Sequence, residues 1–476
     1  MNRTAIVVGS GPNGLTAAAL LASHGVAVTV YEQASEPGGG ARSGEPLGEG
    51  FITDLGAAAH PFGVGSPAFR ALGLEDHGLE WAHPRYPMAH PLPGQESAIL
   101  HRDAAATARQ FGPDAAAWLR IHQPVTAHPL QTLENITGPL LRFPPHLLPM
   151  ASFGLRAAWP AALLARSAFR TPEARALFGG SAAHSILPLG HPFTSAFGTV
   201  FGGLGQTLGW PVARGGSGQI IQALLSVLGA HDVQVRTNET VTDLRDLPAA
   251  DAVLLDLTPR QVLDLAGTQL STRYRGWLRR WKYGAGVHKV DYLLDGPVPW
   301  SDERTAHAGT VHVVGSFEEL VHAEHLTGRG KVPERPFVMA AQQSMADPSR
   351  VADGKQVLWS YAHVPNGSSA DVGPLIDAQF ERFAPGFRDR IIGRIDTPPD
   401  ALQAWNPNLV GGDIGGGSLR GTQQVLRPAP TLRPYNTSQA GLYICSSSTP
   451  PGGGVHGMAG WHAARAVFRD WDRSTR

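Results

Sequence analysis

The chain opens on an apolar run, Thr4-Ala-Ile-Val-Val8, which breaks into Gly9-Ser-Gly11-Pro-Asn-Gly14 and continues as an Ala- and Leu-rich stretch to about His24. Gly25 follows, then a second apolar run from Val26 to Tyr31, closed by Glu32. Short continuous apolar runs bounded by glycine are the pattern of strands covered on both faces, and the longer run between them is that of a crossover helix. The order therefore predicts a β-turn-α-β unit at the start of the chain. Residues from about 76 to 200 are rich in Ala, Leu, Pro and His and read largely as helix, as at Asp114 to His122. From about 205 onward strands and helices mix again. Asp251-Ala-Val-Leu-Leu-Asp-Leu257 predicts a buried strand and Val287 to Leu294 another. Gly441-Leu-Tyr-Ile-Cys445 predicts a short strand that leads through glycine-rich turns into a last helix, Met458 to about Asp470.

At 476 residues the chain exceeds what a single hydrophobic core usually serves, so two lobes are expected. Lys and Arg number 39 and so do Asp and Glu, which removes global attraction to a phosphate backbone, and no nucleic-acid partner is expected. The single cysteine, Cys445, excludes a disulfide framework and a Cys-cluster metal site. The most apolar stretch, Ala157 to Ala165, is bounded by Arg156 and Arg166 and broken by Pro160, well short of the roughly 18–20 apolar residues that span a bilayer. The expectation is a cytoplasmic protein, soluble or peripheral to a membrane.

The first turn carries the chemistry. In Gly9-x-Gly11-x-x-Gly14, Gly9 allows the tight turn, Gly11 lets backbone approach a pyrophosphate, and Gly14 allows helix and strand to pack closely. The helix that follows offers free N–H groups and a positive dipole end to phosphate. Glu32, at the end of the second strand, is placed to accept hydrogen bonds from ribose hydroxyls, which favours FAD or NAD over a 2′-phosphorylated nucleotide. The adjoining Pro37-Gly38-Gly39-Gly40-Ala41-Arg42-Ser43 supplies a second flexible loop and a cation to offset pyrophosphate charge, and it tips the reading to FAD. Gly452-Gly-Gly454-Val-His-Gly457 repeats the spacing without the rest of a βαβ unit, and reads as a different flavin-contacting turn.

Taken together, GSGPNG (9–14), EPGGGARSGE (36–45), DLGAAAHPF (54–62), GWPVARGGSGQI (209–220), HKVDYLLDGPVPW (288–300), HVPNG (363–367), PNLVGGDIGGG (407–417) and LYICSSSTPPGGGVHGM (442–458) resemble the FAD-dependent amine oxidase and phytoene dehydrogenase superfamily. Within it the chain is most similar to the phytoene desaturase-like subgroup that includes pyridine nucleotide-disulphide oxidoreductase domain-containing protein 2. Cys445 stands alone, so the cysteine-pair chemistry of disulphide reductases is absent. The resemblance implies an α/β protein: a Rossmann-type FAD-binding domain of glutathione reductase and amine oxidase type, over about 1–75, 205–275 and 400–476. A substrate domain of mixed β-sheet and helices would take 76–204 and 276–399.

The same resemblance assigns cofactor contacts to Gly9, Gly11, Pro12, Asn13, Gly14, Glu32, Gln33, Gly39, Gly40, Ala41, Arg42, Gly56, Ala57 and Ser446. Val241 matches a residue whose backbone meets the adenine, with an ordinary strand valine as the alternative. Gly454, Val455, His456 and Met458 match the turn facing the flavin. Lys289, at the start of its strand, matches the lysine that contacts flavin N5 through a water in amine oxidase relatives. Lys289, His456 and His60 are the catalytic candidates. His322 and His325 share a helix face without a recognisable third ligand, and no metal is expected.

The activity implied is an oxidoreductase that takes hydride from a C–H bond of an apolar, isoprenoid-like small molecule to flavin N5, with oxygen or a quinone as electron acceptor. Amine oxidases flank the flavin with aromatic rings, and 408–422 and 453–458 contain none, which weighs against an amine oxidase of a hydrophobic amine. That reading and a non-catalytic FAD-bound partner protein stand as alternatives. Leu140 to Arg170, apolar with scattered arginines, reads as a cap of the substrate lobe or a lipid-docking segment. Peripheral membrane contact and a homodimer are both compatible with the chain.

Overall fold

The computed structural model describes residues 3–352 and 354–474. Its two main sheets are built from β1 (Thr4–Val8), β2 (Ala27–Tyr31), β3 (Tyr86–His90), β4 (Ala98–Leu100), β5 (Gln234–Arg236), β6 (Ala252–Leu255), β7 (Gly286–Leu294), β8 (Ala308–Val313), β9 (Val338–Ala341), β10 (Gln356–Val364), β11 (Ile391–Thr397) and β12 (Leu442–Ile444). The helices that shape the site are α1 (Pro12–Ala22), α2 (Leu147–Ala157), α3 (Ala161–Ala168), α4 (Pro172–Ala183), α5 (Thr194–Gly205), α6 (Gly218–Gly229) and α7 (Met458–Ser474).

The first sheet is parallel and runs β12-β6-β1-β2-β5. Its inner strands β1, β2 and β6 are largely apolar because both faces are covered, while the edge strand β5, Gln234-Val-Arg236, is mostly exposed. On one face α1, α6 and α7 pack Leu15, Leu21, Ile220, Leu224, Ala463 and Val467 against Val7 and Val30. On the other, Val262, Tyr274 and Leu278 pack against Val8 and Leu255. Close contact between α1 and α7 requires small residues: a Cβ on Gly460 would stand 1.8 Å from the Asn13 carbonyl oxygen. The Rossmann unit read from residues 4–32 is thus present, with its helix two residues shorter than the apolar run because Ser23 caps it.

The second sheet has seven strands in the order β11-β7-β10-β9-β8-β3-β4, antiparallel except for the β3–β8 pair. All nine residues of β7 are buried, and their side chains alternate between faces. Val290, Tyr292 and Leu294 enter a core with Val311, Phe380 and Phe387. Val287 faces the other way, toward Ala341, Trp359, Tyr361 and the first lobe's Ala58, so Lys289 and Asp291 on the same face also point between the lobes. Helices α2 to α5 stack beyond this sheet around Phe153, Phe178, Phe201 and Leu204.

A buried ionic cluster pins the lobes together. Arg350, fully buried, bonds Asp54 through Nη1 at 2.8 Å and Asp347 through Nε at 3.2 Å. Asp54 also accepts from Ser43 Oγ at 2.6 Å, from Ser217 N at 2.6 Å and from Gln343 Nε2. Burial pushes the Asp54 carboxyl up, but Arg350 and these donors outweigh it and hold the group below its ordinary range. Asp347 and Arg350 thus join the 343–350 segment to the loop after the first Rossmann unit.

Candidate functional site

The turn after β1 is drawn tight by Gly9 N–H, which donates to Tyr31 O at 2.8 Å. Gly9 takes φ +98°, which a side chain rarely adopts, and a Cβ on Gly14 would lie 2.1 Å from the Gly9 carbonyl oxygen. Two further glycine loops pack on this turn: a Cβ on Gly39 would meet Gly11 Cα at 3.1 Å, and one on Gly56 would meet Gly40 O at 2.2 Å. The cradle therefore closes only with bare backbone, at the N-terminal end of α1. Glu32, 8 % exposed, is oriented by Ser10 N and Oγ (2.9 and 2.6 Å) on one oxygen and by Ala34 N (2.8 Å) on the other. Arg42 lies on the Trp405 ring, 4.6 Å from its centroid, and donates to Gly39 O and Trp405 O.

This cradle is one end of a cavity of about 1010 Å³, at the upper limit of the roughly 300–1,000 Å³ typical of small-molecule sites. Gly9, Gly11, Pro12, Asn13, Glu32, Gln33, Gly39, Gly40, Arg42, Gly56, Ala57 and Val241 line it there. Val241 lies outside β5, in the loop that follows. The middle is lined by Gly454, Val455, His456, His60 and Lys289. The far end is a chamber walled by Met150, Phe153, Phe197, Phe201, Trp210 and Tyr361. The rings come from α2, α5, the loop after α5 and β10, outside the two segments where aromatic residues were sought, so their absence from 408–422 and 453–458 is no argument against an amine.

Four expected cofactor neighbours fall outside the cavity wall. Gly14 acts through packing beneath the turn, and Ala41 is a core residue of the first lobe. Ser446 is buried, its carbonyl accepting from Thr449 Oγ1 at 2.8 Å. Met458 contributes its backbone N–H, which donates to His456 Nδ1 at 3.0 Å.

That last bond fixes the ring of His456, one of the catalytic candidates. Its Nδ1 lone pair is spent on the first turn of α7, and burial pushes the imidazole down to about 4. With Nδ1 accepting, the neutral ring carries its proton on Nε2, so His456 can donate a hydrogen bond from that side and cannot take up a proton at Nδ1 without breaking this bond. His60 donates from Nε2 to Ser217 Oγ at 2.7 Å, since Ser217 itself donates to Ala57 O at 2.6 Å. Its Nδ1 is buried and has no protein partner, and burial pushes its pKa down to about 4. Lys289, 3 % exposed, bonds Asp291, which also accepts from Thr53 Oγ1 at 3.2 Å. Burial lowers the lysine and raises the aspartate; each holds the other's charge. His322 and His325 are exposed on the helix Phe317–Gly328; that helix buries Glu324 instead, which bonds His363 Nδ1 at 2.9 Å.

Three further groups had no role assigned from the sequence, although Asp413 lies in one of the quoted motifs, 407–417. Asp256, just past β6, lines the cavity and accepts from Gly14 N at 3.0 Å; burial, with Glu32 adding to it, raises its pKa to about 7. Asp413 accepts from Gly284 N and Gly415 N, both at 2.7 Å, tying β7's approach to the glycine loop after 409. Arg427, 1 % exposed, donates to the carbonyls of Gly416, Ser447 and Ser448. Each follows an ordinary loop or strand residue, and only the fold brings them to the site.

A glycine cradle on a parallel sheet, continuous with a chamber under a second, mixed sheet, defines a two-lobe protein of the Rossmann dinucleotide-binding class. The family model for the NAD(P)-binding Rossmann-like domain matches residues 7–72. The chain is 27 % identical to pyridine nucleotide-disulfide oxidoreductase domain-containing protein 2 of Rattus norvegicus, covering 98 % of this chain and 93 % of that one. It is 24 % identical to the lycopene-forming phytoene desaturase of a Paracoccus strain, covering 98 % and 96 %. Among solved structures, putrescine oxidase with bound putrescine superimposes with a TM-score of 0.63 at 17 % identity, covering both chains fully, a likeness of fold. The chain is thus similar over nearly its whole length to pyridine nucleotide-disulfide oxidoreductase domain-containing protein 2 and to a phytoene desaturase, as its motifs imply.

Proposed function

We propose that the protein is a FAD-dependent oxidoreductase acting on an apolar small molecule, with the dinucleotide along the glycine cradle and the substrate in the aromatic chamber. The observation that carries this reading is the single cavity joining the two, with Lys289 on its wall. The cradle suits a pyrophosphate: it closes only with bare backbone, and Asn13 Oδ1 is buried there without a protein partner. FAD, when bound, supplies a hydride acceptor at N5. The chain supplies the rest: Glu32 for ribose hydroxyls, α1 and Arg42 for phosphate charge, and a chamber that excludes water from the donor carbon. Lys289 Nζ, kept buried by Asp291, is the group we assign to holding or moving a proton.

The purified protein is expected to show a flavin absorption spectrum that bleaches anaerobically with apolar C–H donors. Bleaching only with amines supports the amine oxidase reading, for which the aromatic chamber leaves room. A spectrum that no donor bleaches supports a non-catalytic flavoprotein, and absence of flavin overturns all three. Lys289→Met is expected to slow turnover at least tenfold at unchanged flavin content. Because it leaves Asp291 buried and unpaired, Lys289→Met with Asp291→Asn should recover stability and not rate; a normal rate in either variant removes Lys289 from the chemistry.

We further propose that substrate enters from a lipid surface. Leu141, Phe143, Leu147, Leu148, Leu155, Trp159 and Leu163 are exposed on one segment, with Phe143 at 82 % and Leu148 at 81 %. Leu140, Leu141 and Phe193 are both exposed and part of the cavity wall, so the opening lies at this patch. Residues 137–172 carry Arg142, Arg156, Arg166 and Arg170 and no acidic residue, with Arg166 paired to Glu318. Among the described residues no single helix is long and apolar enough to cross a membrane, and α2 and α3 meet at 87°, so contact would be peripheral. Sedimentation with phosphatidylglycerol vesicles is expected, falling at least tenfold in Phe143→Ser/Leu148→Ser. No binding at low salt would refute the docking.

A further inference from the structure

The chamber is apolar with one exception. Its polar wall groups are mostly committed within the protein: Thr137 Oγ1 donates to Leu133 O at 2.6 Å, Thr310 Oγ1 accepts from Trp210 Nε1 at 2.9 Å, and Tyr361 Oη meets Met339 Sδ at 3.5 Å. His184 and Ser185 are different. They follow the end of α4 and both line the chamber. His184 Nε2 shares a proton with His312 Nε2 at 3.0 Å, and its Nδ1 has no protein partner among the described residues. Ser185, 4 % exposed, has a hydroxyl with no partner among the described residues. Buried polar groups are ordinarily satisfied, and those left open at a cavity wall are completed by water or ligand.

The backbone adds a separate observation. Ile186, the next residue and also on the wall, sits at φ 52°. A β-branched residue there is a steric outlier, and such strain collects at ligand clamps. Ile186 lies directly beside His184 and Ser185 on the chamber wall.

We propose that His184 and Ser185 form the polar anchor of the chamber, and that the substrate is an apolar molecule bearing a hydroxyl group that binds them. A hydroxyl both donates and accepts. It therefore satisfies His184 Nδ1 in either tautomer allowed by the bond to His312, and Ser185 Oγ as well. The imidazole stays neutral, since burial holds it down to about 3, and none of the far-chamber groups named here is a carboxylate to balance an ammonium. This inference rests on the reading of the chamber as the substrate site.

The test is binding of 1-decanol, 1-chlorodecane and decylamine to the full-length protein by titration calorimetry. The alcohol is expected to bind at least tenfold tighter than either of the others. His184→Leu and Ser185→Ala should each bring it within threefold of the chloride without weakening the chloride. Equal affinities in the unaltered protein, a preference for the amine, or a preference surviving both substitutions would overturn the anchor. Bleaching of the flavin spectrum tests the oxidoreductase reading separately: an alcohol preference without bleaching by any donor sinks that reading and leaves the anchor standing.

Discussion

Arg350→Met is expected to destabilise the protein by about 3–5 kcal/mol, the cost of breaking a buried ion pair from one side. The guanidinium is fully buried and is shared by two carboxylates, Asp54 and Asp347, both also fully buried. Removing it leaves two uncompensated negative charges and frees the Ala213 carbonyl, to which Nη2 donates at 2.7 Å. Denaturant unfolding followed by tryptophan fluorescence measures the loss. Adding Asp54→Asn should recover part of it, since the amide oxygen still accepts from Ser43 or Ser217 while the charge is gone. The sign with pH follows from Asp54. Its folded pKa is lowered, so its stabilisation is present above the ordinary aspartate value of 3.8 and is lost as pH falls below it. An unchanged midpoint in Arg350→Met would mean that the ion cluster does not hold the lobes.

Gly14→Ala is expected to lower the flavin-to-protein absorbance ratio at least tenfold and to cost about 1–3 kcal/mol as overpacking. The new Cβ would stand 2.1 Å from the Gly9 carbonyl oxygen, and because the clash is with backbone, relief requires moving the turn proposed to hold the phosphates. Gly276→Ala is the control. Gly276 lies inside the helix Thr272–Arg279 with nothing within 4 Å of its prospective Cβ, and there alanine should stabilise by about 0.5–1 kcal/mol. Full flavin content in Gly14→Ala would refute the account of the cradle; loss in both variants would show that the effect is general instability.

Much of the first lobe was legible along the chain because its signals are local. The run from Thr4 to Glu32 places apolar strand, glycine turn, helix and acid within one supersecondary unit, where sequence spacing and spatial spacing coincide. The same holds for the short strand at 442–444 and the helix after Met458, which are adjacent in sequence to the turn they build. His456 lines the cavity, but which of its nitrogens carries the proton was not legible, because the bond from Met458 N to its Nδ1 depends on the path of the backbone and not on composition. The search for aromatic rings failed for a related reason: Phe197, Phe201, Trp210 and Tyr361 come from distant segments, and only packing sets them around one chamber.

The sequence by itself determined the class of fold, the dinucleotide cradle and the presence of a second lobe, since apolar periodicity, obligatory glycines and chain length act through neighbours in the chain. Tertiary structure alone decided which buried groups meet. Asp54 finds Arg350 across 296 positions, Asp256 reaches Gly14 across 242, and His184 meets His312 across 128. Burial then sets what those groups can do, because removing water raises or lowers each pKa and makes every unpaired donor or acceptor costly. The identities of such residues are written in the sequence, but their charges, partners and roles are properties of the folded interior.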